Sequence, residues 1–156
     1  MNAPVTSAAR GGGKRGSNPR HRAREFVLQG LYQYLVGKQD EAAIEAQAAT
    51  VTGFDKADGE LYKTLLHRTL NDATALQEAL TPHVDRPWPE ISPIEHGILL
   101  LAACEFKHFP ETPYRVVLNE AIELAKSFGG TDGHKFVNGV LDKLAALLRP
   151  DEAKPR

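Results

Sequence analysis

Apolar residues recur at intervals of three and four along most of this chain, which is the spacing of one face of an α-helix. Between residues 19 and 37 this face is formed by Ala23, Phe26, Val27, Gly30, Leu31, Tyr34 and Leu35. No segment shows the apolar–polar alternation that is typical of a half-buried β-strand. The sequence therefore predicts an all-α fold of about six or seven helices.

Prolines, glycines and capping residues predict where these helices begin and end. The expected helices span residues 19–37, 40–50, 58–80, 92–106, 112–127 and 132–150. Asn18 is the expected cap of the first helix, and either Thr131 or Asp132 opens the last. The helix at 92–106 is apolar nearly all round and should be the central buried one. Ser92 is its expected cap, with Glu95 completing a capping box.

The first 19 residues differ in composition from the rest of the chain. They are rich in Gly, Ser, Ala and Pro and hold a single Val as their only sizeable aliphatic residue. Such a segment cannot bury enough apolar area to offset its chain entropy, so we expect residues 1–19 to be a disordered basic arm. Residues 20–150 then form the helical domain, with a subdomain connection near 82–92, and residues 151–156 form a tail.

Positive charge is concentrated at the beginning of the chain. The first 24 residues contain six Lys or Arg and no acid, whereas the remaining 132 contain 13 bases and 20 acids. This asymmetry favours a polyanionic partner. Because Arg20, Arg22 and Arg24 continue into the first helix, part of the charge lies on a rigid scaffold, which favours a specific nucleic-acid contact.

The sequence contains no pattern that is typical of an enzyme. It lacks a zinc-protease motif, a Walker A loop and a Cys/His cluster, and Glu105 and His108 form only one Glu-x-x-His step. Glu120 and Glu123 fit a solvated helix face better than an acid/base pair. The glycine-rich residues 129–133 fit a helix–helix turn. We therefore expect a protein without catalysis, cofactor or metal.

The expected location is the cytoplasm. The single cysteine, Cys104, excludes an intramolecular disulfide. The apolar run that contains it is too short to span a bilayer, and the charged N-terminus has no apolar stretch after it, unlike a secretory signal.

Two stretches of the chain resemble the bacterial NusB family of transcription antitermination factors. Residues 22–32, RAREFVLQGLY, are similar to the family's opening helix. Residues 119–129, NEAIELAKSFG, and 134–142, HKFVNGVLD, are similar to its C-terminal signature. The resemblance covers roughly residues 20–150 and leaves the first 19 outside.

The resemblance implies a fold and a function. The family fold is an all-α pair of perpendicular three-helix bundles. Its members bind boxA, an element of ribosomal RNA leader transcripts, as single-stranded RNA and together with NusE, a protein of the small ribosomal subunit. The pair joins other Nus factors on RNA polymerase and suppresses premature termination.

The resemblance also implies two groups of site residues. The RNA-binding group comprises Arg20, His21, Arg22, Arg24, Asp132, Lys135 and Phe136. In this group Asp132 matches a position that tunes RNA affinity, and Phe136 matches a residue that stacks on RNA. His21 should add little charge, because an imidazole is mostly neutral near pH 7. The partner-binding group, Tyr32 and Glu95, faces NusE on a surface that we expect to be distinct from the RNA arm.

Several alternatives remain open for these residues. The arginines fit a merely solvated arm, Phe136 and Tyr32 fit core packing, and Glu95 fits capping alone. Leu28 and Tyr32 form a second stripe that either widens the core face or makes a contact surface. At the level of function, a helical protein-interaction module is one alternative. Another is a relative of the helical domain that precedes some ribosomal RNA methyltransferases, but we expect no methyltransferase here because the chain shows no glycine-rich α/β domain.

Overall fold

The chain forms an all-helical fold in a computed structural model that describes residues 18–153. Its seven α-helices are α1 (Pro19–Gly37), α2 (Glu41–Ala49), α3 (Gly59–Asn71), α4 (Ala73–Leu80), α5 (Pro93–His108), α6 (Tyr114–Phe128) and α7 (Gly133–Leu148). Short 3-10 turns lie at Phe54–Lys56, Thr81–His83 and Trp88–Glu90. Residues 18–153 contain no β-strand, so the all-α prediction is confirmed.

Six of the seven helices pack as two groups of three, and α4 packs on α5. Helices α1, α2 and α3 contact one another, as do α5, α6 and α7, and α1 also packs on α5. Helix α5 contacts α1, α3, α4, α6 and α7. Every residue from Gly97 to Phe106 in α5 is buried. The prediction that this helix is central is confirmed, and its burial follows from a surface that is apolar nearly all round.

Side-chain caps set the beginnings of several helices. Asn18 Oδ1 accepts hydrogen bonds from the amides of Arg20 and His21 at 2.9 and 3.3 Å. Ser92 Oγ accepts from the Glu95 amide at 3.1 Å. Both caps were predicted, because Ser and Asn satisfy amides that a helix start leaves unpaired. Asp132 precedes α7 as expected, but it takes a left-handed conformation (φ 64°) and its side chain makes no cap bond.

The single long helix predicted over residues 58–80 is wrong. The structure breaks it at Asp72, which separates α3 from α4. The Asp72 carboxylate accepts from Lys107 Nζ and His108 Nε2, each at 2.8 Å. Asp favours caps and turns over helix interiors, and here groups at the end of α5 hold it in place. The apolar stripe continues on both sides of Asp72, so periodicity alone could not reveal the break.

The C-terminal segment is tied to the end of α5. The buried Arg149 guanidinium donates to the backbone carbonyls of Glu105, Phe106, Phe109 and Thr112. The Glu152 carboxylate accepts from the Tyr114 amide at 2.7 Å. Glu152 therefore caps α6, whose preceding residue is a proline.

Some predictions concern residues outside the part of the chain that is described. The predicted arm at 1–19 falls almost wholly outside it, as does half of the predicted tail at 151–156. Among residues 18–153, no helix has both the length and the hydrophobicity that a membrane crossing requires.

Candidate nucleic-acid and protein interface

The four basic residues predicted at the start of α1 divide into a buried pair and an outer pair. Arg24 has 2% of its surface exposed. Its Nε lies 2.7 Å from Glu105 Oε2 and its Nη2 lies 2.9 Å from Glu105 Oε1. This bidentate ion pair joins α1 to α5 across the core. That Arg24 contacts RNA therefore stays a prediction, and in this structure its guanidinium faces the interior and is engaged there.

His21 is the second buried member. Its Nδ1 lies 2.7 Å from Glu120 Oε1 in α6, and its Nε2 lies 3.1 Å from Glu25 Oε2 one turn along α1. The hydrogen bonds to Glu120 and then Glu25 raise the pKa of His21 from 6.5 to about 9, against the opposing effect of burial. The expectation of a mostly neutral ring is wrong. His21 is protonated at neutral pH, but its charge is matched by two carboxylates and its ring is 4% exposed.

Arg20 and Arg22 form the outer pair. The Arg20 side chain is 51% exposed, and its Nη1 lies 3.5 Å from Asp58 Oδ2. Arg22 is half-buried, and its Nη1 lies alongside Gly53, which has a positive φ of 93°. Arg20 therefore lies at the surface, where the backbone of a ligand can reach it, whereas Arg22 is only partly exposed and its Nε is buried.

The first turn of α7 contains Lys135 and Phe136. Lys135 is exposed, and its Nζ lies 3.4 Å from Asp132 Oδ1. Phe136 is half-buried and packs against the core. The Arg86 guanidinium lies over its ring, with Cζ 4.4 Å from the ring centroid. Phe136 therefore packs partly against the core, and its stacking on RNA stays a prediction.

Glu95 lies against the glycine turn that leads into α7. Its carboxylate is largely buried, and Oε2 accepts from the Gly130 amide at 3.3 Å. A Cβ atom at Gly133 would collide with the same oxygen. Glu95 was assigned to the partner-binding group, yet it touches the turn that carries Asp132. The structure therefore brings the two predicted groups together at this point.

Tyr32 lies half-buried on α1, close to where that helix crosses α5. Gly97 allows this crossing, since a Cβ there would lie 3.0 Å from Leu28 Cδ1 and 3.5 Å from Leu31 Cβ. Leu28 is 2% exposed, so it belongs to the core, whereas Tyr32 keeps an accessible part. Gly97 is two residues from Glu95, so the crossing places Tyr32 and Glu95 on adjoining segments.

Sequence reasoning missed the carboxylates that organise the start of α1. Glu105 appeared only as one step of an incomplete metal motif, and Glu120 appeared as part of a solvated face. The structure places Glu105 on Arg24 and Glu120 on His21. A signal was present, because Glu105 directly follows the uncharged, largely apolar run from Gly97 to Cys104. In residues 18–153 no group of three or more His, Cys, Asp or Glu could hold a metal ion.

Comparisons with known proteins give the chain a family. The sequence profile of the NusB family matches residues 21–146. The chain is 58% identical over 137 residues to the transcription antitermination protein NusB of Dechloromonas aromatica, a match that covers 88% of this chain and 84% of that protein. It is 54% identical over 143 residues to the NusB protein of Bordetella pertussis, with 88% and 93% covered. A solved structure of NusB from T. maritima superposes with a TM-score of 0.73 at 25% identity and covers 88% of this chain and 97% of that one. This chain therefore belongs to the NusB family of transcription antitermination proteins.

Proposed function

We propose that this protein binds the boxA element of ribosomal RNA leader transcripts as single-stranded RNA, together with NusE. We further propose that the pair joins other Nus factors on RNA polymerase in the cytoplasm and suppresses premature termination, without catalysing a reaction. Membership of the NusB family is the observation that carries this proposal.

The RNA contact begins with Arg20 and Arg22 in the first turn of α1. Both cations lie on a helix whose orientation is set by the buried pairs beneath them. The chain before α1 adds further cations without any acid. Single-stranded RNA is held by such cations along its backbone. Within this proposal His21 and Arg24 act as positioning residues, because they hold the first turns of α1 against α5 and α6.

A second RNA contact lies at the start of α7. Phe136 offers an aromatic surface for a base, and the exposed Lys135 offers a cation for a phosphate. Asp132 pairs with Lys135, so it can tune the affinity by competing with RNA for that cation.

The contact with NusE involves Tyr32 and Glu95. A partly exposed Tyr can bury its ring at an interface while its hydroxyl finds a polar partner. Glu95 lies in the first turn of α5, where the helix amides favour a carboxylate, and a basic partner side chain would meet the small part of Glu95 that is not buried. A ribosomal protein would supply such a basic group.

The test is a titration of this protein with boxA RNA and with a scrambled RNA of equal length, with and without NusE. We expect boxA to bind more tightly than the scrambled RNA and NusE to increase the difference. Equal binding of the two RNAs, unchanged by NusE, would contradict the proposal. Binding of NusE without any RNA preference would instead favour the protein-interaction module.

A further inference from the structure

Arg86 makes the most distinctive contact outside the residues assigned so far. Its guanidinium carbon lies 4.4 Å from the centroid of the Phe136 ring. The Arg86 side chain remains 38% exposed, and its Nε donates to Asp85 Oδ1 at 2.9 Å. The guanidinium therefore lies over the ring, its Nε is bonded to Asp85, and part of the Arg86 side chain is open to solvent.

The segment that carries Arg86 is anchored on both sides. Trp88 stacks on His96 with centroids 4.3 Å apart, and its Nε1 donates to Thr81 Oγ1 at 3.0 Å. Pro87 further restricts the backbone directly after Arg86. These contacts limit the positions that Arg86 can take, so its stacking on Phe136 is built into the connection between α4 and α5.

The outer face of α7 continues from this stack. Gly139 and Lys143 follow Phe136 at three and seven residues, so the three lie on one side of the helix. A Cβ at Gly139 would meet no atom within 4 Å, and Lys143 is exposed. The pKa of Asp85 is lowered, chiefly by its hydrogen bond to Arg86 and in smaller part by the charge of Lys143. By helix geometry, Lys143 lies about two turns beyond Phe136 on the same side of α7.

We propose that Arg86, Phe136 and Lys143 form one binding surface for single-stranded RNA, in which a base stacks on the open face of the Arg86 guanidinium and the adjoining phosphate lies near Lys143. This inference rests on the proposed function and adds two residues to its RNA site. RNA fits this surface better than an acidic peptide does, because bases stack on planar Arg and aromatic groups while phosphates pair with cations. The open space at Gly139 leaves room for the chain between the two cations.

The first test replaces Arg86 by Lys, which keeps the charge but removes the planar group. We expect Arg86→Lys to weaken the binding of boxA RNA at least about fivefold, the low end of the effect of losing a stacked base. Arg115→Lys, the same change at an exposed arginine in α6, is the matched control and should leave RNA affinity unchanged. Unchanged or tighter RNA binding by Arg86→Lys would overturn the inference, and tighter binding would mean that Arg86 shields the ring.

The second test is a double-mutant cycle between Arg86→Ala and Phe136→Leu, which keeps an apolar side chain but removes the ring. If the two residues form one surface, the double mutant should lose little more RNA affinity than Phe136→Leu alone, because neighbouring groups couple. Fully additive losses would overturn the shared surface. If the unaltered protein does not prefer boxA over scrambled RNA, the proposed function itself fails. If it does prefer boxA and the Arg86 variants match it, only this inference fails.

Discussion

At the scale of single residues, burial separates side chains that look equivalent in the sequence. Arg20, Arg22 and Arg24 lie within five residues of α1, yet Arg20 is exposed, Arg22 is half-buried and Arg24 is buried against α5. Arg24 and His21 each meet carboxylates from distant parts of the chain. Their charges therefore contribute to the positioning of α1, and their removal should appear first in stability.

His21 makes the stability of the fold depend on pH. Its pKa is raised from 6.5 to about 9. Between pH 6.5 and pH 9, therefore, the folded state holds a proton that the unfolded state has released. The stabilisation is complete below pH 6.5 and is lost as pH rises towards 9, with a total of at most about 3 kcal/mol. Urea unfolding at pH 6.5, 7.5 and 8.5 should show this decline. The decline should be much smaller in His21→Gln, and equal slopes in the two proteins would contradict the assignment.

Removing either partner of the ion pair between Arg24 and Glu105 should lower the free energy of unfolding. Arg24→Ala leaves a carboxylate buried without its cation, and we expect a loss of about 3–5 kcal/mol in the free energy of unfolding. Arg20→Ala removes a cation of the same helix whose pair with Asp58 is exposed, and it should cost less than about 1 kcal/mol. Chemical denaturation of the two variants measures the contrast. If both variants lose a similar free energy of unfolding, the buried ion pair stabilises the fold no more than the exposed pair does.

At the scale of elements, the candidate site lies at the starts of two helices, α1 and α7. The first turn of α1 is capped by Asn18 and carries Arg20 and Arg22, and the glycine turn before α7 rests on Glu95. Each helix start thus has residues that are proposed to contact RNA and a polar residue that supports the backbone, Asn18 at the start of α1 and Glu95 at the turn before α7. The proposed contacts should govern RNA affinity, and the supporting residues should govern whether the backbone keeps its conformation.

The outer cations of α1 should appear in the salt dependence of RNA binding. Replacing Arg20 and Arg22 by Ala removes two phosphate contacts, which should flatten the slope of log affinity against log salt by about 1.4, at about 0.7 per contact for single strands. Circular dichroism should remain unchanged. Lys63→Ala combined with Arg115→Ala removes two exposed cations elsewhere and serves as the control. An unaltered slope in the α1 variant would exclude these residues from the phosphate contacts.

The glycine turn should not tolerate a side chain at Gly133. A methyl group there collides with the Glu95 carboxylate, so Gly133→Ala should destabilise the fold by about 1–3 kcal/mol. Gly139→Ala is a matched change in the same helix where a Cβ meets open space. It should stabilise by up to about 1 kcal/mol through helix propensity. Thermal unfolding compares the two, and a stabilised Gly133→Ala would mean that Glu95 moves away at little cost.

At the scale of the whole molecule, the crossing of α1 and α5 connects the two candidate surfaces. Tyr32 lies near this crossing, and Glu95 reaches from it to the turn before α7. The partner surface was expected to be distinct from the basic arm, and that expectation stays a prediction. Glu95 contacts the turn that carries Asp132, which is a predicted RNA residue outside the arm, so Tyr32 and Glu95 should differ in their effect on RNA binding.

Substitutions at the partner residues should separate these roles. We expect Tyr32→Ala to weaken NusE binding more than tenfold, about 1.4 kcal/mol, and to leave RNA binding by this protein alone unchanged. Glu95→Lys should weaken NusE binding and RNA binding alike, because the Gly130 amide loses its acceptor. Calorimetry with NusE and RNA titration measure the two effects. If both variants bind NusE like the unaltered protein, the partner docks elsewhere.

Much of the fold could be read from the sequence because its causes are local. A stripe of apolar residues every three to four positions indicates a helix, and a cap such as Asn18 bonds amides only two and three residues away. The boundaries of α1, α2, α5 and α6 followed from such signals. The family resemblance of residues 22–32, 92–106 and 119–142 was local in the same sense, and it assigned roles to Arg22, Glu95 and Phe136.

Only the tertiary structure decided which of these residues are buried and which remain exposed. Arg24 and Glu105 are 81 residues apart, and His21 and Glu120 are 99 apart. No local pattern records such a pairing, so the burial of Arg24, the raised pKa of His21 and the stack of Arg86 on Phe136 were not foreseeable. The break at Asp72 has the same origin, since Lys107 and His108 reach it from another helix. Local spacing determines the helices, but contacts across the fold determine which side chains remain available to bind.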